Sequence, residues 1–448
     1  MKKIKEWLPL WLILLYFGGI VFMIQNRGEI KSQYQTLVEQ ARSYAENDVV
    51  VDAIAAYQGA LAIKPNAELA VEAGEVYLSH KEYSEAGKWY NNTLHADYPD
   101  QLETYEFGMR TFLEQDNYRE AFRIYDEYKN RELVSDKVES MIAPLWYTFD
   151  LSGEYEEVRP FGNVSNVAAV SYNDSWGYID IEGDRVLDYV YKSAGTFSEM
   201  GAVTDAEGNA YFTDSSGNKK ITEKSILEKD PELGKVVQFL GIEGGRLWAY
   251  NGDFWNCYEA ETLRKLFGGY AGATNISNGI GAVKNNSSKW ALIDADGTLL
   301  TEFLYDEAVT DPKDIFCRTD AVFVKSGEKY LLLDKKGKQI KEKAYEDACA
   351  FYDDTYAAVK VNGKWQFINQ KGKIQDIGTY DQARSFSGGL AAVCLDGKWG
   401  YIDMKGNLVI DCQFKEAGQF SSHGVAFVKP EGEEFWRMLT LYKDNHDR

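Results

Sequence analysis

One repeated phrase constrains this chain more than any other feature. From about residue 163 onward, an alternating apolar run, a polar turn and an aromatic-led strand recur at a period near 35 residues. The cleanest copy is GLAAVCLDGKWGYIDMKGNLVIDCQFKEAGQF, starting at Gly389. Others begin at Val167 (VAAVSYNDSWGYIDIEGDRVLD), Ile280 (IGAVKNNSSKWALIDADGTLL), Ala321 (AVFVKSGEKYLLLDKKGKQI) and Tyr356 (YAAVKVNGKWQFINQKGKI). Aligned on the central aromatic, the copies sit at Trp176, Ala210, Trp255, Trp290, Tyr330, Trp365 and Trp399, with an imperfect eighth near Trp436. Successive spacings are 34, 45, 35, 40, 35, 34 and 37. A period of this length marks a structure assembled from stacked or ring-closed units.

Each copy reads as short strands. Alternation in AAV-type runs gives a half-buried strand, and a polar turn such as DGK leads into the aromatic strand. The next turn is Asp-x-x-Gly, at Asp180 to Gly183, Asp214 to Gly217, Asp294 to Gly297, Asp334 to Gly337 and Asp403 to Gly406, with Asn369 to Gly372 a variant. Aspartate opening a type I turn, with glycine at its left-handed exit, closes a hairpin. A third apolar strand and an FS-containing link, such as FSGG at Phe386, complete the unit. One hairpin cannot hide both faces, so the copies must pack on one another. Seven or eight small sheets around an axis give a β-propeller, and an open β-solenoid is the alternative. The first and last copies are incomplete and could complete each other.

These phrases resemble the WG-repeat family of bacterial proteins, over roughly residues 163 to 442. The match is specific at Trp176-Gly177 and Trp399-Gly400 and degraded where Ala291 or Gln366 replaces the glycine. The resemblance implies a β-rich repeat domain with a binding or structural role and no catalytic residues. The central rings Trp176, Trp255, Trp290, Tyr330, Trp365 and Trp399 recur as packing residues do, and a glycan-stacking platform is the sharper alternative.

Upstream the spacing turns helical. Leu37, Ala41, Tyr44, Ala53, Tyr57, Ala60 and Pro65 are followed by Ala73, Gly74, Tyr77, Ala86, Tyr90 and Pro99, then by Phe107, Gly108, Tyr118, Ala121 and Tyr125. Ala53, Ala86 and Ala121 lie 33 and 35 residues apart. Small residues let paired helices approach, and tyrosines fill the space between pairs. The segment resembles three tetratricopeptide repeats plus a degenerate helical pair around GEYEEV at Gly153. That resemblance implies a groove for peptides or partner proteins.

Trp7 to Ile24 is eighteen residues without a charge, long enough to span a bilayer at about 1.5 Å per residue. Lys2, Lys3 and Lys5 precede it, which orients an uncleaved single-pass anchor with its N-terminus cytoplasmic and the body outside. The expected organisation is therefore 1–29 tip and transmembrane anchor, 30–161 tetratricopeptide-like repeats and 162–448 WG-repeat β domain.

Net charge is −21. The first 31 residues carry five basic and two acidic groups, leaving −24 on the rest, which repels nucleic acid. Five cysteines form no CxxC pair and four histidines are scattered, so no metal site or redox motif is expected. No phosphate loop, GxSxG elbow, HExxH or EF-hand loop occurs. The expected function is a non-catalytic protein-binding scaffold of the cell envelope, without cofactors, its partners proteins or peptides. Cell-wall carbohydrate binding is the alternative, and a propeller hydrolase with an acid pair in its channel is a third reading.

Overall fold

The computed structural model describes residues 29–162, 165–353 and 355–445. Two compact units separate between Trp146 and Tyr147.

The first unit is built of helical pairs. Residues 29–46 and Val50–Ile63 form one, and Ala67–Ser79 is followed by Tyr83–Trp89 with its π turn Tyr90–Leu94. Leu102–Leu113 pairs with Tyr118–Asn130, and Asp136–Ile142 follows. Asn66, Asn117 and Ser135 cap three of these helices by accepting from the backbone N–H three residues on. Ala53, Tyr57, Ala86, Tyr90, Ala121 and Tyr125 are all buried. Close approach is enforced at Gly108, where any Cβ would lie 2.8 Å from Tyr90 Cδ2. The Tyr57 and Tyr125 hydroxyls donate to Glu72 and Glu139, each at 2.8 Å, so the ring that spaces the pairs also ties them.

Two expectations are corrected here. No helix among the described residues is long and apolar enough to cross a membrane. Val50–Ile63 has 14 residues and reaches about 21 Å, short of a hydrocarbon core of about 30 Å. Residues 29–46 carry Glu29, Lys31, Glu39, Arg42 and Glu46. The run Trp7 to Ile24, which carried the expected anchor, lies outside the described residues. The single-pass assignment is not supported, and the cell-membrane localisation that rested on it falls too. The second correction concerns the segment read as a degenerate helical pair up to 161. Phe149–Tyr155 is a strand, and it belongs to the β unit.

In the β unit the strands fall into eight blades, each hydrogen-bonded antiparallel within itself. Blades three to six are separate sheets, and the remaining four join two by two. The joints are the ten-residue strands Arg185–Ala194 and Leu408–Ala417, each the outer strand of one blade and the inner strand of the next. The eighth blade, Val425–Pro430 and Trp436–Leu441, takes its last strand from the start of the unit. Phe149–Tyr155 pairs with Trp436–Leu441 through Phe149↔Leu441, Leu151↔Leu439 and Tyr155↔Trp436. The incomplete terminal copies do complete one another.

Neighbouring blades meet through apolar layers. Eight clusters among the described residues each join one blade to the next, all the way round. The closing one packs Val425, Phe427 and Met438 of the eighth blade on Ala168, Val170 and Ile179 of the first. Each buried large side chain contributes roughly 1.5–3 kcal/mol. The arrangement is a propeller-like ring, and the open solenoid is not what forms.

The repeated aspartates are spent on turns. Asp403 Oδ1 accepts from Lys405 N at 2.8 Å and Asn407 N at 2.9 Å, and Asp180, Asp214, Asp294, Asp334 and Asn369 repeat the arrangement.

Candidate functional site

The innermost strands and links of successive blades meet at the hub. A cavity of about 120 Å³ is lined by Arg159 of the first blade, Thr196 of the second, Glu243 of the third and Asn275 of the fourth, with Lys313 and Asp314 of the fifth. A second, of about 330 Å³, is lined by Tyr352, Ser387 and Ser421 of the sixth to eighth blades and by Phe161 of the first. Only an axial position lets side chains of so many blades meet.

The FS links explain how the hub is held. Ser198 Oγ donates to Ile242 O at 2.8 Å and Ser387 Oγ to Phe420 O at 2.5 Å, each reaching the next blade. Arginines do the same. Arg159 Nε donates to Ala194 O at 2.8 Å and Arg384 Nε to Ala417 O at 2.7 Å. Each guanidinium also lies over the central ring of its blade, 5.5 Å from Trp176 and 5.2 Å from Trp399.

The 40-residue spacing between Trp290 and Tyr330 reflects an insertion that enters this hub. It contains Asp311-Pro-Lys-Asp314, which repeats the hairpin turn of the blades. Asp311 Oδ1 accepts from Lys313 N at 2.8 Å and Ile315 N at 3.0 Å. Asp314 takes the left-handed position (φ 60°) that glycine holds elsewhere. The Asp311 carboxylate is buried and paired with Arg318. Lys313 is 5% exposed, its ammonium 4.8 Å from the Tyr352 ring centre. Burial and the Arg318 charge lower its pKa to about 7, against the pull of Asp311 and Glu243. Burial raises Glu243 in turn.

The central aromatics are not equivalent core residues. Trp399 is buried, but Trp176, Trp255, Trp290, Tyr330 and Trp365 are only half-buried. Lysines cover two of them, Lys284 at 5.6 Å from Trp290 and Lys325 at 5.3 Å from Tyr330. The fully buried ring lies two residues further on, at Tyr178, Phe212, Phe367 and Tyr401, with Tyr258 its counterpart in the third blade. Tyr178 and Tyr401 donate to Gly195 O at 3.0 Å and Gly418 O at 2.9 Å. A second missed signal is an aromatic fifteen residues after the central one. It pairs back in six blades, as Trp176↔Tyr191, Trp255↔Tyr270, Trp290↔Tyr305, Tyr330↔Tyr345, Trp365↔Tyr380 and Trp399↔Phe414.

None of the central rings lines the hub cavity, and neither do the six helical-repeat residues. Glu243 and Asn275 stand at the link positions that Ser387 and Ser385 hold in the seventh blade, so the signal that could have found them is a departure within the repeat. Among the described residues no cluster of His, Cys, Asp and Glu could hold a metal ion.

Residues 176–202, 332–365, 367–399 and 399–432 match the family described as WG containing repeat, and all four stretches fall in the β unit. No curated protein matches. Solved structures that are similar include BamB from Moraxella catarrhalis, at 12% identity over 56% of this chain and 83% of that one, with a TM-score of 0.32. The WD40 beta propeller domain of Doa1 is similar at 12% identity over 66% and 97%, with a TM-score of 0.33. The AfRom2 CNH domain is similar at 11% identity over 66% and 96%, with a TM-score of 0.34. Likeness this low carries no argument, and the ring rests on strand pairing and blade contacts.

Proposed function

We propose that this chain is a non-catalytic scaffold that binds proteins or peptides through its helical pairs and its β ring. The observation that carries this reading is a division of labour within the β unit. Residues that recur from blade to blade are consumed by turns, blade contacts and hub hydrogen bonds. Residues that do not recur gather at the hub, where Glu243, Asn275, Lys313 and Asp314 surround a cavity. In repeat proteins the departures from the repeat mark the face that meets a partner. The helical unit, similar in spacing to tetratricopeptide repeats, supports a peptide partner independently. A second reading, glycan binding, draws on the half-buried rings of Trp255 and Trp365.

Photo-crosslinking residues placed at Gln238, on the hub rim, and at Val51, exposed on the helical unit, test the proposal in the full chain. Position-dependent adducts with defined polypeptides are expected. Adducts with polysaccharide alone, or none at either position, would overturn it.

A further inference from the structure

The groups lining the hub cavity divide into those already committed and those that are not. Arg159 is held by Ala194 O and by the face of Trp176. Lys313 lies against the Tyr352 ring and is drawn towards Asp311 and Glu243. Both cations are therefore engaged by the protein itself. The acceptors are different. Neither the Glu243 nor the Asp314 carboxylate has a hydrogen bond or ion pair among the described residues. Asn275, 3% exposed, leaves its Oδ1 without a partner, and Thr196 leaves its buried Oγ1 without one. Buried polar atoms of this kind are uncommon in native structures and call for an explanation. The cavity has room for on the order of ten water-sized groups.

We propose that this cavity is a binding site for an organic cation, an ammonium or guanidinium group whose N–H donors are taken by Glu243, Asp314, Asn275 and Thr196. The inference deepens the scaffold reading, on which it rests for the ring alone. The same chemistry is offered by a small polyamine and by a lysine or arginine side chain of a partner. An organic cation suits the site because it brings several donors in fixed directions as well as charge. The chain's net charge of −21 draws cations to it from a distance. Burial raises the Glu243 carboxyl against the pull of Arg318 and Lys313, and a cation entering the cavity adds to that pull.

Calorimetry on the full chain tests the site, using agmatine, the peptide Gly-Arg-Gly, its neutral counterpart with citrulline, and calcium chloride. Agmatine or the arginine peptide is expected to bind, the citrulline peptide and calcium not. Glu243→Gln and Asp314→Asn keep side-chain size and are expected to weaken binding by about tenfold each. Circular dichroism establishes that each variant is folded, and Thr196→Val supplies a third variant independent of charge. Binding of agmatine assigns a small-molecule source, and stronger binding of the peptide assigns a partner side chain. Absence of binding by both at millimolar concentration would overturn the proposal. So would equal binding by parent and variants, or calcium binding as tight as agmatine. If agmatine binds and no polypeptide crosslinks at either position, the scaffold reading falls and the cation site stands. If polypeptides crosslink and the variants bind cations as the parent does, the reverse holds.

Discussion

Blades one and seven carry glycine after the central tryptophan, and blades four and six carry Ala291 and Gln366. At Gly400 an added Cβ would stand 2.5 Å from Ile410 O and 2.7 Å from Cys412 N. At Gly177 it would meet Leu187 O at 2.8 Å. In both places the continuous outer strand bulges inward, and the ladder shifts register between Trp399 and Tyr401 and between Trp176 and Tyr178. In blades four and six the outer segment makes only isolated bridges, Trp290↔Tyr305 with Ile293↔Leu299 and Trp365↔Tyr380 with Ile368↔Ile374. A side chain fits in the space left. The glycine of the WG phrase therefore answers to a backbone pressing on it, and Ala291 and Gln366 stand where the outer segment is looser.

The largest effect should come from the position the blades share rather than from the one in which they differ. Tyr401→Ala removes a fully buried ring, its hydrogen bond to Gly418 and its edge contact with Phe420 at 4.7 Å. A loss of about 3–5 kcal/mol is expected in the seventh blade. Trp365→Ala, at a half-buried ring, should cost roughly 1–2 kcal/mol. Hydrogen exchange across Leu390–Leu395 and Ala357–Val361 measures both. Equal losses would restore the central aromatics as the core.

Exchanging the residues that distinguish the blades sharpens the comparison. Gly400→Gln should cost about 1–3 kcal/mol by overpacking and release Leu408–Ala417 from its neighbour. Gln366→Gly should change stability by less than about 1 kcal/mol. Symmetrical effects would mean that the glycine serves no close approach.

The last effect is read per pH unit and concerns the hub insertion that no other blade has. Lys313 titrates near 7 in the folded chain and at its ordinary higher value when unfolded. Between those values the unfolded state holds more protons, so stability rises with pH from about 7 to 10. Below 7 the cost of burying the charge is constant. Arg318, Asp311, Glu243 and the Tyr352 ring face the group, so the parent is compared with Lys313→Met. The parent should gain on the variant by up to about 1.4 kcal/mol per pH unit across that window. Parallel curves would place a charged lysine in the hub.

Much of the architecture is legible in the chain because repetition multiplies a weak signal. Asp-x-x-Gly turns, the alternating runs and the helical alanines each recur, and each forms as expected. The central tryptophans do pack, but Trp176, Trp255, Trp290 and Trp365 lie at the edge of their clusters, and recurrence alone does not separate an edge ring from one in the core. Phe149–Tyr155 was misread because its pairing partner lies nearly 300 residues away and nothing local marks it as a strand. The hub site was invisible for the opposite reason. Glu243 and Asn275 replace link serines of other blades, Lys313 sits in an insertion, and only closure of the ring brings them together.

That closure is the claim on which the hub, the cavity and the proposed function depend. Ser152→Pro removes one hydrogen bond of the strand that completes the eighth blade, opposite Met438. Hydrogen exchange on this variant should show protection lost at Trp436–Leu441 and, through the Phe427 and Met438 layer, at Val167–Tyr172. Ile280–Lys284, in the fourth blade, should keep its protection. Loss confined to Phe149–Tyr155, with Val167–Tyr172 unchanged, would contradict a closed ring.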